Sequence, residues 1–368
     1  MSHQLDLLVG GRGLPQRHRT LRAAITWSYE LLSDHERLLF NRLAVFAGGC
    51  TVEAIQAVCT EGDLEPGGVP EILATSQRRS LLLAEARPDG TVRYRFLESI
   101  REYALERLTE SGETDRIQRA HAAYFLRFIE QIKAEYEGPE QPRMLDLLRT
   151  EQHNFRAALD WAINRPEPEI AMRLAGALMR FWEMNGSYAE GRRWLAEVLQ
   201  GVSQQPEYRA RALTAAGSLA YFEGDYAAAR AHIEECLGIY RQMDHKLGIA
   251  GSLNTLGIIV MDQGDRERAR ALLEESLTVF RDVDDRRGIA RGLMNLGLLT
   301  HDVGDFAWAR RRSCRGTVSW PGRCSKKGWP ASARSATSAG ARTACCFSAS
   351  CRSNRATTRR PARCSSRR

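Results

Sequence analysis

Few side chains in this 368-residue sequence stand at spacings that chemistry requires. The eight histidines (His3, His18, His35, His121, His153, His232, His245 and His301) are scattered. They form no H-E-x-x-H pair and no other spacing that two ligands on one helix face would give a metal. Each reads as a surface or helix-capping residue. The carboxylate pairs Glu234-Glu235 and Glu274-Glu275 recur at the same place in a repeat, which marks a solvated helix face and not an acid–base pair. No G-x-S-x-G elbow occurs, and no Cys has a His partner in sequence. The stretch Gly10-Gly11-Arg12-Gly13 is glycine-rich but lacks the Lys-Ser/Thr that holds phosphates, and no G-x-x-x-x-G-K-[ST] loop is present. It reads as a turn. No catalytic constellation, metal site or cofactor site is expected, and the chain is expected not to be an enzyme.

Binding is the remaining kind of chemistry. The aromatic set Phe181, Trp182, Tyr188 and Trp194 has helical spacing. It is either core between two helices or a partner-binding patch, since exposed aromatics dominate interaction hot spots. A second candidate is the short basic cluster Gln77, Arg78 and Arg79, which is either a solvated helix end or a point of DNA contact.

The elements that position these residues follow from a 40-residue period. Gly217, Gly257 and Gly297 each precede a turn, at Gly224-Asp225-Tyr226, Gly264-Asp265-Arg266 and Gly304-Asp305-Phe306, and a weaker copy stands at Gly186-Ser187-Tyr188. A turn glycine adopts the left-handed conformation that ends one helix, and the Asp after it accepts the free N–H groups that begin the next. Stacked helical hairpins of this kind resemble the tetratricopeptide repeat in a lengthened form. Such units form a solenoid whose concave face binds a protein or peptide.

Upstream, Leu21, Ala24, Ile25, Trp27, Leu31 and Leu32 lie near one face of a helix capped by Thr20. Ser33-Asp34-His35-Glu36 is a capping box for a second helix, expected to run to Gly48-Gly49, and Thr51 begins a third. A helix over Ile72–Ser80, the hairpin signal Arg87-Pro88-Asp89-Gly90 between apolar runs, and a closing helix from Glu98 to Leu108 complete a winged helix.

Charge separates the last segment from the rest. Residues 311–368 hold 13 Arg, 2 Lys, six of the nine Cys, and no acidic residue, Leu or Ile, so residues 1–310 keep 38 basic against 45 acidic residues, a net of −7. The repeat breaks directly after Arg310. Translation out of frame best explains this composition; a disordered basic arm binding polyanions and a Cys-rich module are the alternatives. Isolated Cys50, Cys59 and Cys236 and the lack of an apolar run near 18 residues point to a reduced, cytoplasmic protein with no membrane partner.

Several runs together carry a family resemblance. Leu5-Asp6-Leu7-Leu8, Arg19 to Leu32, Leu43-Ala44-Val45-Phe46-Ala47-Gly48-Gly49, Tyr94 to Ala104, and Glu151-Gln152-His153-Asn154-Phe155-Arg156 to Trp161 look like successive signatures of the bacterial STAND/NB-ARC signal-transduction ATPases, including AfsR-like and LuxR-type regulators. The resemblance implies a P-loop ATPase, then a winged helix, then repeats, and Glu151 to Trp161 resembles the joining segment. The P-loop itself is missing from this sequence. Where relatives have a Met-His-Asp motif touching the nucleotide, this chain has Phe96, Leu97 and Glu98; Arg101, one turn on, reads as an exposed Arg paired with a nearby Glu.

The expected fold is therefore mainly α: a remnant of an ATPase lid (1–19), a winged-helix domain (20–112), connecting helices (113–170), a tetratricopeptide-repeat solenoid (171–310) and a disordered tail (311–368). The expected function is a regulatory protein–protein interaction module, the sensor and relay of such a switch. Alternatives are a DNA-binding transcriptional regulator acting through the winged helix, and a fragment that reassembles with a separate P-loop ATPase. ATP or ADP enters only if that ATPase is supplied.

Overall fold

A computed structural model describes residues 21–301, apart from residues 61, 63, 88, 133–140 and 166. The expectations for the lid remnant, the Thr20 cap, Gly10–Gly13, the turn at Gly304-Asp305-Phe306 and the tail, including its disorder, fall outside the described residues.

Helices α1 (Leu21–Glu30), α2 (Asp34–Leu43) and α3 (Val52–Cys59) follow one another closely, and a 3-10 turn at Pro66–Gly68 leads into α4 (Val69–Arg78). Strands β1 (Leu83–Ala86) and β2 (Val92–Arg95) form an antiparallel hairpin, and α5 (Glu98–Glu110) closes the unit. The caps read from sequence are formed. Ser33 accepts from Glu36 N while Glu36 reaches back to Ser33 N, and Thr51 accepts from Ala54 N. Two local expectations are corrected. Helix α2 stops at Leu43, five residues before Gly48, because the chain must turn to bring Cys50 beside Tyr94, where N–H and C=O exchange 2.8 Å bonds in both directions. On α1 only Ile25 is buried and the chain buries Leu32 just after it, whereas Trp27 and Leu31 are exposed. The apolar stripe is narrower than its residues suggest.

Two long helices come next, α6 (Thr114–Ile132) and α7 (Gln141–Asn164), then α8 (Pro168–Asn185) and α9 (Tyr188–Val198), α10 (Pro206–Phe222) and α11 (Tyr226–Gln242), α12 (Lys246–Asp262) and α13 (Arg266–Asp282), and α14 (Arg286–His301). The hairpin turns are built as the period requires. Gly186, Gly224 and Gly264 have φ of 70°, 81° and 92°, and Asp225 and Asp265 accept from Ala228 N and Arg268 N at 3.1 Å. The helices of each pair lock through the repeated glycine: a Cβ on Gly217 would stand 2.7 Å from Ile233, and one on Gly257 2.7 Å from Leu273.

One apolar cluster begins in the hairpin-bearing unit with Leu39, Ile55 and Leu73, continues through Phe125 and Phe155, and reaches Leu219 on α10. A separate cluster around Ile233, Leu256, Leu273 and Leu296 holds α10–α14 together. The first unit is thus fused through its core to the helices that follow it.

Candidate functional site

The polar side chains most deeply committed to one place lie where the β-hairpin meets α6 and α7. Arg93 on β2 is buried, and its guanidinium pairs with the buried Glu151 of α7, Nη2 standing 3.2 Å from Oε2 and Nη1 closer still to Oε1. The same Nη2 donates to the carbonyls of Gly48 and Gly49 at 3.1 and 2.9 Å. Asn154, one helical turn beyond Glu151, donates to Gly49 O at 2.9 Å and to Glu151 Oε2 at 2.8 Å, and its Oδ1 accepts from Gly48 N at 3.5 Å. His121 of α6 stands 3.4 Å from that Oδ1. With the amide oriented by its two donor bonds, the histidine is the donor through Nε2.

Helical spacing puts Glu151 and Asn154 on one face of α7. The Gly48-Gly49 turn presents its carbonyls to that face because Gly49 takes φ 76°, and a Cβ there would stand 2.9 Å from Tyr94 O. Gly48 is equally confined, since a Cβ on it would stand 3.0 Å from His153 Cβ. Burial pushes the His121 imidazole down to about 4, against which the bond to Asn154 acts more weakly. The ring packs neutral against Phe46 and Phe125. The expectation of a surface or capping role is corrected for His121, which is core; His245 does cap a helix, accepting from Gly248 N at 2.9 Å.

A second ion pair reinforces this junction. Buried Arg42 on α2 donates to Glu113, just ahead of α6, at 2.7 Å and to Cys59 O at 2.7 Å. The Arg42 hydrogen bond holds the Glu113 carboxyl below its usual range. Farther out, Arg156 of α7 forks onto Glu190 of α9 at 2.6 and 2.8 Å, and Arg192 of α9 reaches Glu223 and the turn residue Asp225 at 2.6 and 2.7 Å. These outer pairs are half exposed and fix geometry more than they stabilise.

The loop of the hairpin is also engaged. Arg87 Nη2 donates to Thr150 Oγ1 of α7 at 2.7 Å. On α4 the outward residues are Pro70, Glu71, Ala74, Gln77 and Arg78, one acid and one base. Arg78 bonds to Thr75 Oγ1 at 2.9 Å, and Arg79 is drawn back to Leu31 O at 2.7 Å with Glu36 3.6 Å away. Of the three candidate DNA residues, Gln77 and Arg78 face solvent and Arg79 is tied to the body of its own unit.

The four aromatics do not gather into a surface. Phe181, Trp182 and Trp194 are buried, and only Tyr188 is half exposed, stacked on Phe222 at 5.6 Å. As a partner-binding patch the set is corrected to core: α8 and α9 cross closely at Gly191, where a Cβ would stand 2.7 Å from the Trp182 ring. Arg101 pairs with Glu98 at 2.9 Å, and the recurring acids are met by arginines, Glu234 by Arg230 and Glu235 by Arg209, both at 2.8 Å. Leu97, at the head of α5, is exposed. Among the described residues no group of three His, Cys, Asp or Glu side chains is placed to hold a metal ion, and no helix is long and apolar enough to cross a membrane.

Sequence reading missed Arg93, Asn154 and His121 as site residues. The alternation Val92-Arg93-Tyr94-Arg95 suggests an arginine on the wet face of a hairpin, and only the later helix α7, covering that face, reverses it.

Comparison with known proteins agrees with this architecture. Residues 32–109 match the winged helix-turn-helix domain, and residues 249–283 match the tetratricopeptide repeat. The chain is a winged helix followed by tetratricopeptide repeats. A Mycobacterium tuberculosis protein named as an HTH-type transcriptional regulator is 37% identical over 195 residues, 53% of this chain and 22% of that protein, and its Mycobacterium bovis counterpart matches equally. An uncharacterized M. tuberculosis protein is 39% identical over 119 residues, 32% of this chain and 30% of its own length. The chain thus spans under a third of the curated relatives it matches. Among solved structures, BtubC from P. vanneervenii aligns over 58% of this chain and 98% of its own at 16% identity with a TM-score of 0.40. The STAND protein PH0952 from Pyrococcus horikoshii, with a tetratricopeptide repeat sensor, aligns over 83% and 53% at 13% identity with a TM-score of 0.36.

Proposed function

We propose that this chain is a regulatory protein-interaction module of the STAND/NB-ARC kind, in which a partner engages the repeats and the winged helix relays the event, with no catalysis of its own. The observation that carries the reading is the buried Arg93–Glu151–Asn154 junction. It commits one face of the hairpin, through Arg93 and Arg87, and the Gly48-Gly49 turn to contact with the helical arm, while Asp89 to Val92 at the tip stay exposed. A helix-turn-helix domain that reads DNA presents a basic helix to the major groove. Here Arg87 of the wing bonds to Thr150, and α4 offers one exposed base beside one exposed acid. By this reading the protein acts in the cytoplasm, and ATP or ADP belongs to an ATPase acting with this chain.

The name carried by the mycobacterial relatives favours a second reading, a DNA-binding transcriptional regulator. Selection from a random duplex library with the full chain separates the two. The relay reading expects no enriched sequence at physiological salt, and whatever duplex is bound at low salt to be released in step with salt. Enrichment of a motif that disappears in Gln77→Glu/Arg78→Glu overturns it. Incubation with ATP alone is expected to release no phosphate.

A further inference from the structure

Two recesses meet at Trp161 of α7. The smaller, about 320 Å³, lies in the seam between the winged helix and the arm, where Ala44, Arg101 and Leu105 face Gln118 of α6 and Ala157 of α7. The larger, about 630 Å³, continues between α6 and the end of α7, with Ala120, Ala123 and Trp161 as its apolar walls. Arg165, just past α7, lines both. A recess of this size at a junction is where a small ligand is ordinarily held, on apolar walls with a few polar groups to orient it.

Trp161 supplies one such group. It is 8% exposed, and its indole N–H, which can only donate, is buried with no acceptor among the described residues. Buried donors are nearly always paired, so an orphan beside a recess marks a place where an acceptor from outside is gained. The rim supplies the rest. Arg165 holds Asp115 of α6 at 2.6 Å, and Arg119 of α6 holds Glu167, just ahead of α8, at 2.8 Å. Both arginines are exposed, so little is lost when a guanidinium exchanges one carboxylate for another. Over the two recesses Arg101, Arg116, Arg119 and Arg165 stand against Asp115, Asp160 and Glu167, an excess of one positive charge. We propose that this double recess binds a small monocarboxylate with a flat apolar body, the carboxylate accepting from Trp161 Nε1 and the Arg119 and Arg165 guanidiniums and the body lying against Ala120 and Ala123. Arginine matches a planar carboxylate with two parallel bonds, and one negative charge balances the excess. A ligand that extends into the smaller recess reaches Arg101 and Leu105 of the winged helix, which makes it a small-molecule input distinct from a partner on the repeats. The proposal does not depend on the reading of the repeats.

The test uses the full chain labelled with 5-fluorotryptophan and read by fluorine NMR, with Trp161→Phe assigning the Trp161 signal. The probes are 2-naphthoate, its neutral methyl ester and inorganic phosphate. 2-Naphthoate is expected to shift the Trp161 signal saturably, with a dissociation constant of about 1 mM or tighter, as a ligand of its size allows. The ester is expected to bind about tenfold or more weakly, for want of the charge, and phosphate to leave the signal in place. Arg119→Gln/Arg165→Gln, at exposed positions, is expected to weaken naphthoate by about tenfold or more. Ala123→Phe, which fills the larger recess and keeps both arginines, is expected to abolish the shift. No saturable shift with naphthoate, equal affinity for acid and ester, a shift with phosphate as strong as with naphthoate, or binding unchanged in the double glutamine variant or in Ala123→Phe overturns the proposal. None of these results bears on the DNA selection, so the two readings fail separately.

Discussion

Arg93 and Glu151, 58 residues apart, meet in the interior with both side chains more than nine-tenths buried, and together they fasten the hairpin of the winged helix to the first long arm of the helical region. Neither charge has water to fall back on. Arg93 is satisfied by one carboxylate and two carbonyls, Glu151 by Arg93 and Asn154.

Removing one partner strands the other. Glu151→Ala or Arg93→Ala is expected to cost about 3–5 kcal/mol, whereas Arg93→Met/Glu151→Leu, which removes both charges, should recover much of that loss. Urea unfolding followed by circular dichroism measures both. A double variant no more stable than the singles contradicts the pairing account.

His121 gives a pH signature. Its folded value of about 4 lies below the 6.5 of an exposed histidine, so the unfolded chain takes up a proton first as pH falls. Stability is whole above pH 6.5 and declines as pH falls toward 4, by about 3 kcal/mol in all. Half-buried His232 shifts in the same direction, chiefly from desolvation, so His232→Asn serves as background. In that background His121→Gln should flatten the stability profile between pH 6.5 and 5. An unchanged slope places the titrating group elsewhere.

Much of this architecture is legible from spacing. The 40-residue period places the turns at Gly224 and Gly264 because a left-handed glycine followed by an acceptor side chain is a local device that needs no partner. The Ser33–Glu36 box and the hairpin around Gly90 are local for the same reason. What spacing does not convey is which polar residues go inside. Arg93 alternates as a surface residue would, and it is buried only because α7 returns over it. Trp182 and Trp194 have the composition of a hot spot, yet the close crossing of α8 and α9 at Gly191 turns them inward.

Gly49 tests the turn from the backbone side. Gly49→Ala places a Cβ 2.9 Å from Tyr94 O at φ 76° and is expected to cost about 1–3 kcal/mol. Exposed Gly224, where a Cβ meets nothing within 4 Å, should tolerate Ala better despite its φ of 81°. Paired thermal melts compare them; equal losses contradict a packed turn.

The division of the apolar core predicts uneven unfolding. Leu273→Ala should cost about 2–5 kcal/mol and be felt first in α12–α14, since Leu273 belongs to the cluster that excludes the winged helix. Hydrogen exchange followed by mass spectrometry should show faster exchange there with α2–α5 unaltered. Uniform acceleration along the chain contradicts two clusters.

The winged helix and the arm are expected to move as one body through the Arg93–Glu151 contact. Spin labels introduced by unnatural amino acids at exposed Glu71 on α4 and exposed Ala231 on α11, read by double electron–electron resonance, test it directly. One narrow distance distribution is expected in the wild-type chain, broadening in Glu151→Ala. A broad wild-type distribution, or a narrow one indifferent to Glu151→Ala, contradicts it.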